Sequence, residues 1–265
     1  MSERENNVNT KHYIRVCPDL EIYYEAAGNG TTTIFIPGWA GKTECLEYQM
    51  AHFAKKYHAI TYDPRSQGRT SRTLENNQYK QHGKDLNAFI DAFNFKNFVL
   101  VAHSWGCLDI YPYVPLFGTN NLSACTFIDE GPRAIVTQAD DWSDFPDHAV
   151  VGRFINAIVY DYRGLLKELI TRMTKRSMTP VELDWTADQL LKSPNCAAAL
   201  LAVDGSFADY CAEAISLDGK TPVVNILSED QATIGEAWLA KHAPHAENFI
   251  SGKHSMLREL PEEFN

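Results

Sequence analysis

No apolar run in this 265-residue chain approaches the ~20 residues that a membrane-spanning helix requires. The N-terminal "MSERENNVNTKHY" is polar and charged and lacks the apolar centre of a secretion signal. It is expected to be a short disordered lead-in. Paired cysteines are also missing. Cys17, Cys45, Cys107, Cys125, Cys196 and Cys211 are scattered, with no CxxC pair and no metal-ligand spacing. They read as free thiols in a reducing compartment, and no metal or cofactor is expected. Basic excess is absent, since 24 Lys and Arg face 34 Asp and Glu, a net charge of -10. That balance argues against nucleic acid as a partner. Internal repeats and low-complexity linkers are lacking as well. What remains is a cytoplasmic globular protein, monomer or homodimer, bound to neither membrane nor nucleic acid.

What the chain does have is alternation. "HYIRVC" and "EIYYEAAG" pattern as a hairpin across Pro18 and Asp19, and "TTTIFIPGW" is a β-rich run stopped by Pro37 and Gly38. Segment 43–56 has helical spacing, "HAITYDPR" is strand-like, and Leu86, Phe89, Ile90 and Phe93 restore the helical period. "NFVLVAHS" and "SACTFIDEG" are two further strands, separated by a helix starting at Ser104. Strands alternating with helices imply βαβ units and a parallel sheet. From 134 to 217 strand signals vanish. The runs "VGRFINAIVYDYRGLLKELITRMTKR", "TPVELDWTADQLLKS" and "CAAALLAVDGSFADYCAEAI" each pattern as helix, with Thr179 capping before Pro180. After them "TPVVNILSED" and "ENFISG" resume the strands. The spacing therefore predicts an α/β fold with core sheet over 1–133, a helical cap insertion over 134–217, and the final sheet segment over 218–265.

The chemistry concentrates where a buried strand breaks into "AHSWG". A sharp strand-to-helix turn with small flanking residues holds the apex side chain out of the fold, and the following helix dipole favours negative charge. Ser104 occupies that apex as a candidate nucleophile. A serine needs a base, so a histidine is sought late in the chain. His254 in "GKHSMLRELPEEF" follows a strand and is the candidate; His103 reads as turn packing.

At this point the chain resembles the α/β-hydrolase superfamily over nearly its whole length. "FIPGWAG" is similar to the loop that supplies the oxyanion hole. "YDPRSQGRTS" is similar to the D-x-R-G-x-G-x-S turn, with Ser66 in place of one glycine. "VAHSWG" resembles the nucleophile elbow G-x-S-x-G, with Ala102 for the first glycine, and "SGKHSMLRELPEEF" resembles the catalytic-histidine loop. The resemblance implies an α/β-hydrolase fold, with a mostly parallel central sheet flanked by helices. It implies oxyanion donors at the backbone amides of Trp39 and Trp105. It places the histidine's acid at Asp230, after the seventh strand, with Asp129 after the sixth strand as the alternative and Glu229 as a third option.

Three functions compete. The first is a serine hydrolase of small, largely apolar carboxylic esters or lactones, acyl-homoserine lactones among them. It would use Ser104, His254 and Asp230, with Trp39, Phe154, Tyr160 and Trp185 contacting substrate. The second is a cofactor-free dioxygenase cleaving a hydroxyquinolone. "PGWAG" is similar to a G-W motif of that branch, which pairs the histidine with the sixth-strand acid, here Asp129. A haloperoxidase-like perhydrolase activity would be a side reaction of an esterase. The third is a binding protein on a retired hydrolase scaffold.

Overall fold

A computed structural model describes residues 10–265. The lead-in expected at the N-terminus lies outside the described residues up to residue 9, and "TKHY" after it is already strand. β1 (Thr10–Cys17) and β2 (Leu20–Ala27) form the expected hairpin, closing Cys17 against Leu20. The remaining strands are β3 (Thr32–Ile36), β4 (His58–Tyr62), β5 (Phe98–His103), β6 (Leu122–Ile128), β7 (Val223–Leu227) and β8 (Glu247–Ile250). They form one sheet in the order β1-β2-β4-β3-β5-β6-β7-β8. Pairing is antiparallel between β1 and β2 and between β2 and β4, and parallel everywhere else. Ile34, Phe35 and Ile36 of β3 are buried in succession, as expected of a central strand with both faces covered.

Helices α1 (Glu47–Phe53), α2 (Tyr79–Ala92) and α3 (Cys107–Phe117) connect the first strands. In α2 the apolar Leu86, Phe89 and Ile90 lie three to four residues apart and turn one buried stripe to the sheet. A tight helical turn, Ser104–Gly106, leads from β5 into α3.

Between β6 and β7 come α4 (His148–Tyr160), α5 (Tyr162–Met173), α6 (Pro180–Leu190), α7 (Asn195–Ser206) and α8 (Cys211–Leu217). Two of the expected long helices are broken. Hydrophobic spacing runs through Asp161, yet its backbone leaves the helical region (φ -148) and its carboxylate accepts from Gly164 N at 3.0 Å, starting α5 anew. A second break falls between Ser206 and Cys211. Thr179 caps α6 as read from sequence, in a reciprocal capping box with Glu182. The chain finishes through α9 (Ala232–His242), β8, α10 (Met256–Glu259) and α11 (Pro261–Phe264). Among the described residues no helix is long and apolar enough to cross a membrane.

Candidate active site

The carboxyl ends of β3, β5 and β6 and the loop after β8 meet in one place, where parallel α/β sheets carry their ligands. Ser104 follows β5 with φ +52, in the left-handed region that disfavours every residue with a Cβ. Neighbours without side chains permit that turn. A Cβ on Gly106 would lie 2.5 Å from Pro37 O, and one on Gly38 would lie 2.9 Å from Ser104 Cβ. Ala102, by contrast, is fully buried in β5 without needing to be glycine. Trp105 is the second residue of the helical turn, so its backbone N–H has no partner within that turn.

His254 is held by β6. Its Nδ1 lies 2.7 Å from Asp129 Oδ2, and Asp129 Oδ1 accepts from Ser228 N at 2.7 Å. An ionised carboxylate only accepts, so the network assigns the imidazole proton to Nδ1 and leaves Nε2 as the acceptor. Asp129 too has positive φ, +54. Burial works against its charge, but the bonds from His254 and Ser228 outweigh burial and hold its carboxyl below the usual range.

The "YDPRSQGRTS" turn supports these loops from beneath. Buried Asp63 accepts from Thr43 N and Arg69 N, each at 2.7 Å, tying the loop after β3 to the turn. Arg65 grips Asp85 with two bonds of 2.7 and 2.9 Å. Ser66 takes φ +60 where the motif has glycine, and its hydroxyl accepts from Thr73 N at 3.0 Å.

Ser104, His254 and Asp129 all line a cavity of about 830 Å³ between the sheet's edge of loops and helices α4 to α6. Trp39, Phe145, Phe154, Leu166, Leu169 and Trp185 supply much of its apolar wall. Trp39 packs its ring on Phe154 and Tyr162, with centroids 5.3 and 5.9 Å apart, and its indole N–H donates to Ala198 O of α7 at 2.9 Å. A family model described as the alpha/beta hydrolase fold matches residues 32–155. The chain has the α/β-hydrolase fold.

Its relatives span several reactions. A non-haem chloroperoxidase of Kitasatospora aureofaciens is 26% identical over 129 residues, 48% of this chain and 47% of that protein. The chain thus matches about half the length of such relatives. A bromoperoxidase from Bacillus anthracis superposes with a TM-score of 0.86 at 21% identity, covering 97% of both chains. An esterase from Exiguobacterium antarcticum does so with 0.86 at 17% identity, covering 96% of both. Each shares the fold with this chain.

Within this fold two sequence expectations are corrected. Asp230 does not reach His254. Its side chain is 65% exposed and its Oδ2 lies 3.5 Å from Lys253 Nζ, at the mouth of the cavity. Register is the reason. Ile128 of β6 pairs with Ile226 of β7, so Asp129 emerges level with Leu227 and Ser228, and Asp230 lies beyond them on the turn into α9. Glu229 is also turned away and pairs with Lys175 at 2.7 Å. The second correction is Tyr160, the last residue of α4, which is 83% exposed and takes no part in the cavity wall. Phe154 and Trp185 do line it, Trp185 half in solvent.

The sequence reading missed a second acidic pair. Glu130 is buried, and Asp144 is exposed to the cavity. Burial first, and the facing Asp144 second, raise the Glu130 carboxyl well above its ordinary range. Asp144 accepts from Trp105 Nε1 at 3.2 Å and Gln231 Nε2 at 3.4 Å. "IDEG" offered one hint, an acid directly after Asp129. Nothing in "DDWSDF" marked Asp144.

Proposed function

We propose that this protein is a serine hydrolase of small, largely apolar carboxylic esters or lactones, working through Ser104, His254 and Asp129. The observation that carries the reading is the 2.7 Å His254–Asp129 pair in the same cavity as a serine held at positive φ. Ser104 Oγ attacks the carbonyl carbon and its proton passes to His254 Nε2. Asp129, fixed by Ser228 N, keeps the ring in the accepting tautomer and stabilises the imidazolium that forms. The new oxyanion lies against the amides of Trp39 and Trp105, each worth about 3 kcal/mol to the transition state. Collapse returns the proton from His254 to the leaving alkoxide, and a water activated by the same imidazole releases the acid.

Helices α4 to α7 act as a cap that shapes the acyl site and limits water, with Trp39, Phe154 and Trp185 against substrate. The apolar wall supports an apolar acyl or alcohol group, and the likeness to an esterase supports the reaction class. Hydrolysis of short p-nitrophenyl esters, blocked by a serine-directed phosphonate that labels Ser104, tests the reading. Turnover that persists in the fully labelled protein contradicts it.

One observation favours a second reading. The acid that pairs with His254 follows β6, the position used by the cofactor-free quinolone dioxygenases. In that chemistry His254 deprotonates the hydroxyl of a hydroxyquinolone and Ser104 is secondary. Oxygen uptake with such a substrate, without ester turnover, decides for it.

A further inference from the structure

His103 looked like turn packing in the sequence, but its ring is bonded to the residue that carries the base. It is the last residue of β5, directly before Ser104. Its Nε2 lies 2.9 Å from the backbone carbonyl of His254, and the two imidazoles meet with centroids 4.7 Å apart, tilted by 43°. A carbonyl only accepts, so His103 carries its proton on Nε2 and donates. Burial first, and the neighbouring His254 second, push the ring's pKa well down, so the bond is made by a neutral imidazole at every ordinary pH. No second positive charge then opposes the imidazolium that His254 becomes.

His254 is thereby held at two points from adjacent strands. β6 holds its ring through Asp129, and β5 holds its backbone through His103. The residues around it are anchored elsewhere, Ser251 N to Leu227 O at 2.9 Å and Ser255 N to Met173 O at 3.0 Å. Among the described residues the His103 bond is the one hydrogen bond that ties the loop to the strand that presents Ser104. One trans peptide separates the two Cα atoms by about 3.8 Å. The same dipeptide therefore presents the hydroxyl and fixes the backbone of its base.

We propose that His103 is a positioning residue that sets the distance between Ser104 Oγ and the His254 imidazole by clamping the His254 carbonyl to the end of β5. The proposal rests on the Ser104, His254, Asp129 reading. Displacing a reacting group by about 1 Å costs on the order of 10²-fold in rate. Loss of the clamp is therefore expected in kcat rather than in KM.

Three variants test it. His103→Phe keeps a ring of similar size and removes the donor. His103→Gln puts an amide N–H near the Nε2 position, and His103→Asn carries the same amide one methylene short of it. With a p-nitrophenyl ester His103→Phe should lower kcat by about 10- to 100-fold, with KM within about twofold, and His103→Gln should recover most of the loss. The low-field proton resonance of the His254 Nδ1–H bonded to Asp129, recorded without substrate, should broaden or shift in His103→Phe and return in His103→Gln.

If His103→Phe does not fold, the Gln and Asn variants decide, with only Gln expected to retain activity and resonance. Wild-type kcat and an unmoved resonance in His103→Phe overturn the proposal. So do equal losses in Gln and Asn, which would reduce His103 to packing. If Ser104→Ala keeps ester turnover, the hydrolase reading fails, and the substrate-free resonance still decides the role of His103.

Discussion

At the scale of the residue, Ser104 and Asp129 can be tested separately from the fold. Ser104→Ala should abolish ester hydrolysis by several orders of magnitude and still give a folded protein, because the hydroxyl lies on a turn facing the cavity. More than a tenth of wild-type kcat/KM in that variant would remove Ser104 as nucleophile. Ser104→Gly should be equally inactive but melt above Ser104→Ala, since only glycine occupies φ +52 without steric cost. The gain should be about 1 kcal/mol, read by calorimetry. Asp129→Asn should cut turnover by about 10³- to 10⁴-fold, whereas Asp230→Asn should leave it nearly intact, because the largely exposed Asp230 pairs with Lys253 and not with His254. That Ser104 and His254 come together was legible in the sequence, since the elbow and the histidine loop are local patterns. The carboxylate that pairs with His254 was not. Asp129 and Asp230 both end a strand, and the choice depends on the register between β6 and β7, which no local pattern encodes.

Elements show the same division. β3, β5 and α2 were readable because each buries a continuous run or a clear stripe, and the capping box placed the start of α6. Helix breaks at Asp161 and after Ser206 were invisible to periodicity, because apolar residues recur on both sides of each break. Tyr160 was misassigned for the same reason. Helical spacing placed it with Phe154, but the helix ends there and the ring turns to solvent. Asp161 is the residue to test. Asp161→Ala removes the acceptor for Gly164 N and should cost about 1 kcal/mol, read as a lower denaturant midpoint with unchanged m-value. A midpoint equal to that of wild type would show that packing of α4 on α5, rather than the cap, fixes the corner.

For the whole molecule Glu130 and Asp144 set a pH dependence. Glu130 keeps a proton in the folded state that the unfolded chain releases above the ordinary glutamate value of about 4.3. Folding therefore takes up a proton, and the contribution of this group to stability falls as pH rises from that value toward the higher folded one. The slope in that window is about 1.4 kcal/mol per pH unit for one proton. Asp144, raised as well, acts with the same sign. Glu130→Gln removes the titrating carboxyl, so its melting temperature should match wild type near pH 4 and exceed it at pH 8. Parallel curves across that range would exclude Glu130 as the proton carrier. The sheet has a further consequence, one of timing. Asp129 and His103 meet His254 across 125 and 151 residues of chain. At a synthesis rate of about 5 to 20 residues per second, the ribosome completes the elbow well before the base has been made. On the proposed Ser104–His254–Asp129 reading, a nascent chain carries its serine but stays chemically silent until β8 docks beside β7 and lowers the histidine loop onto its strands. In refolding experiments, ester turnover should accordingly be the last signal to appear, after the far-ultraviolet signature of the sheet is complete.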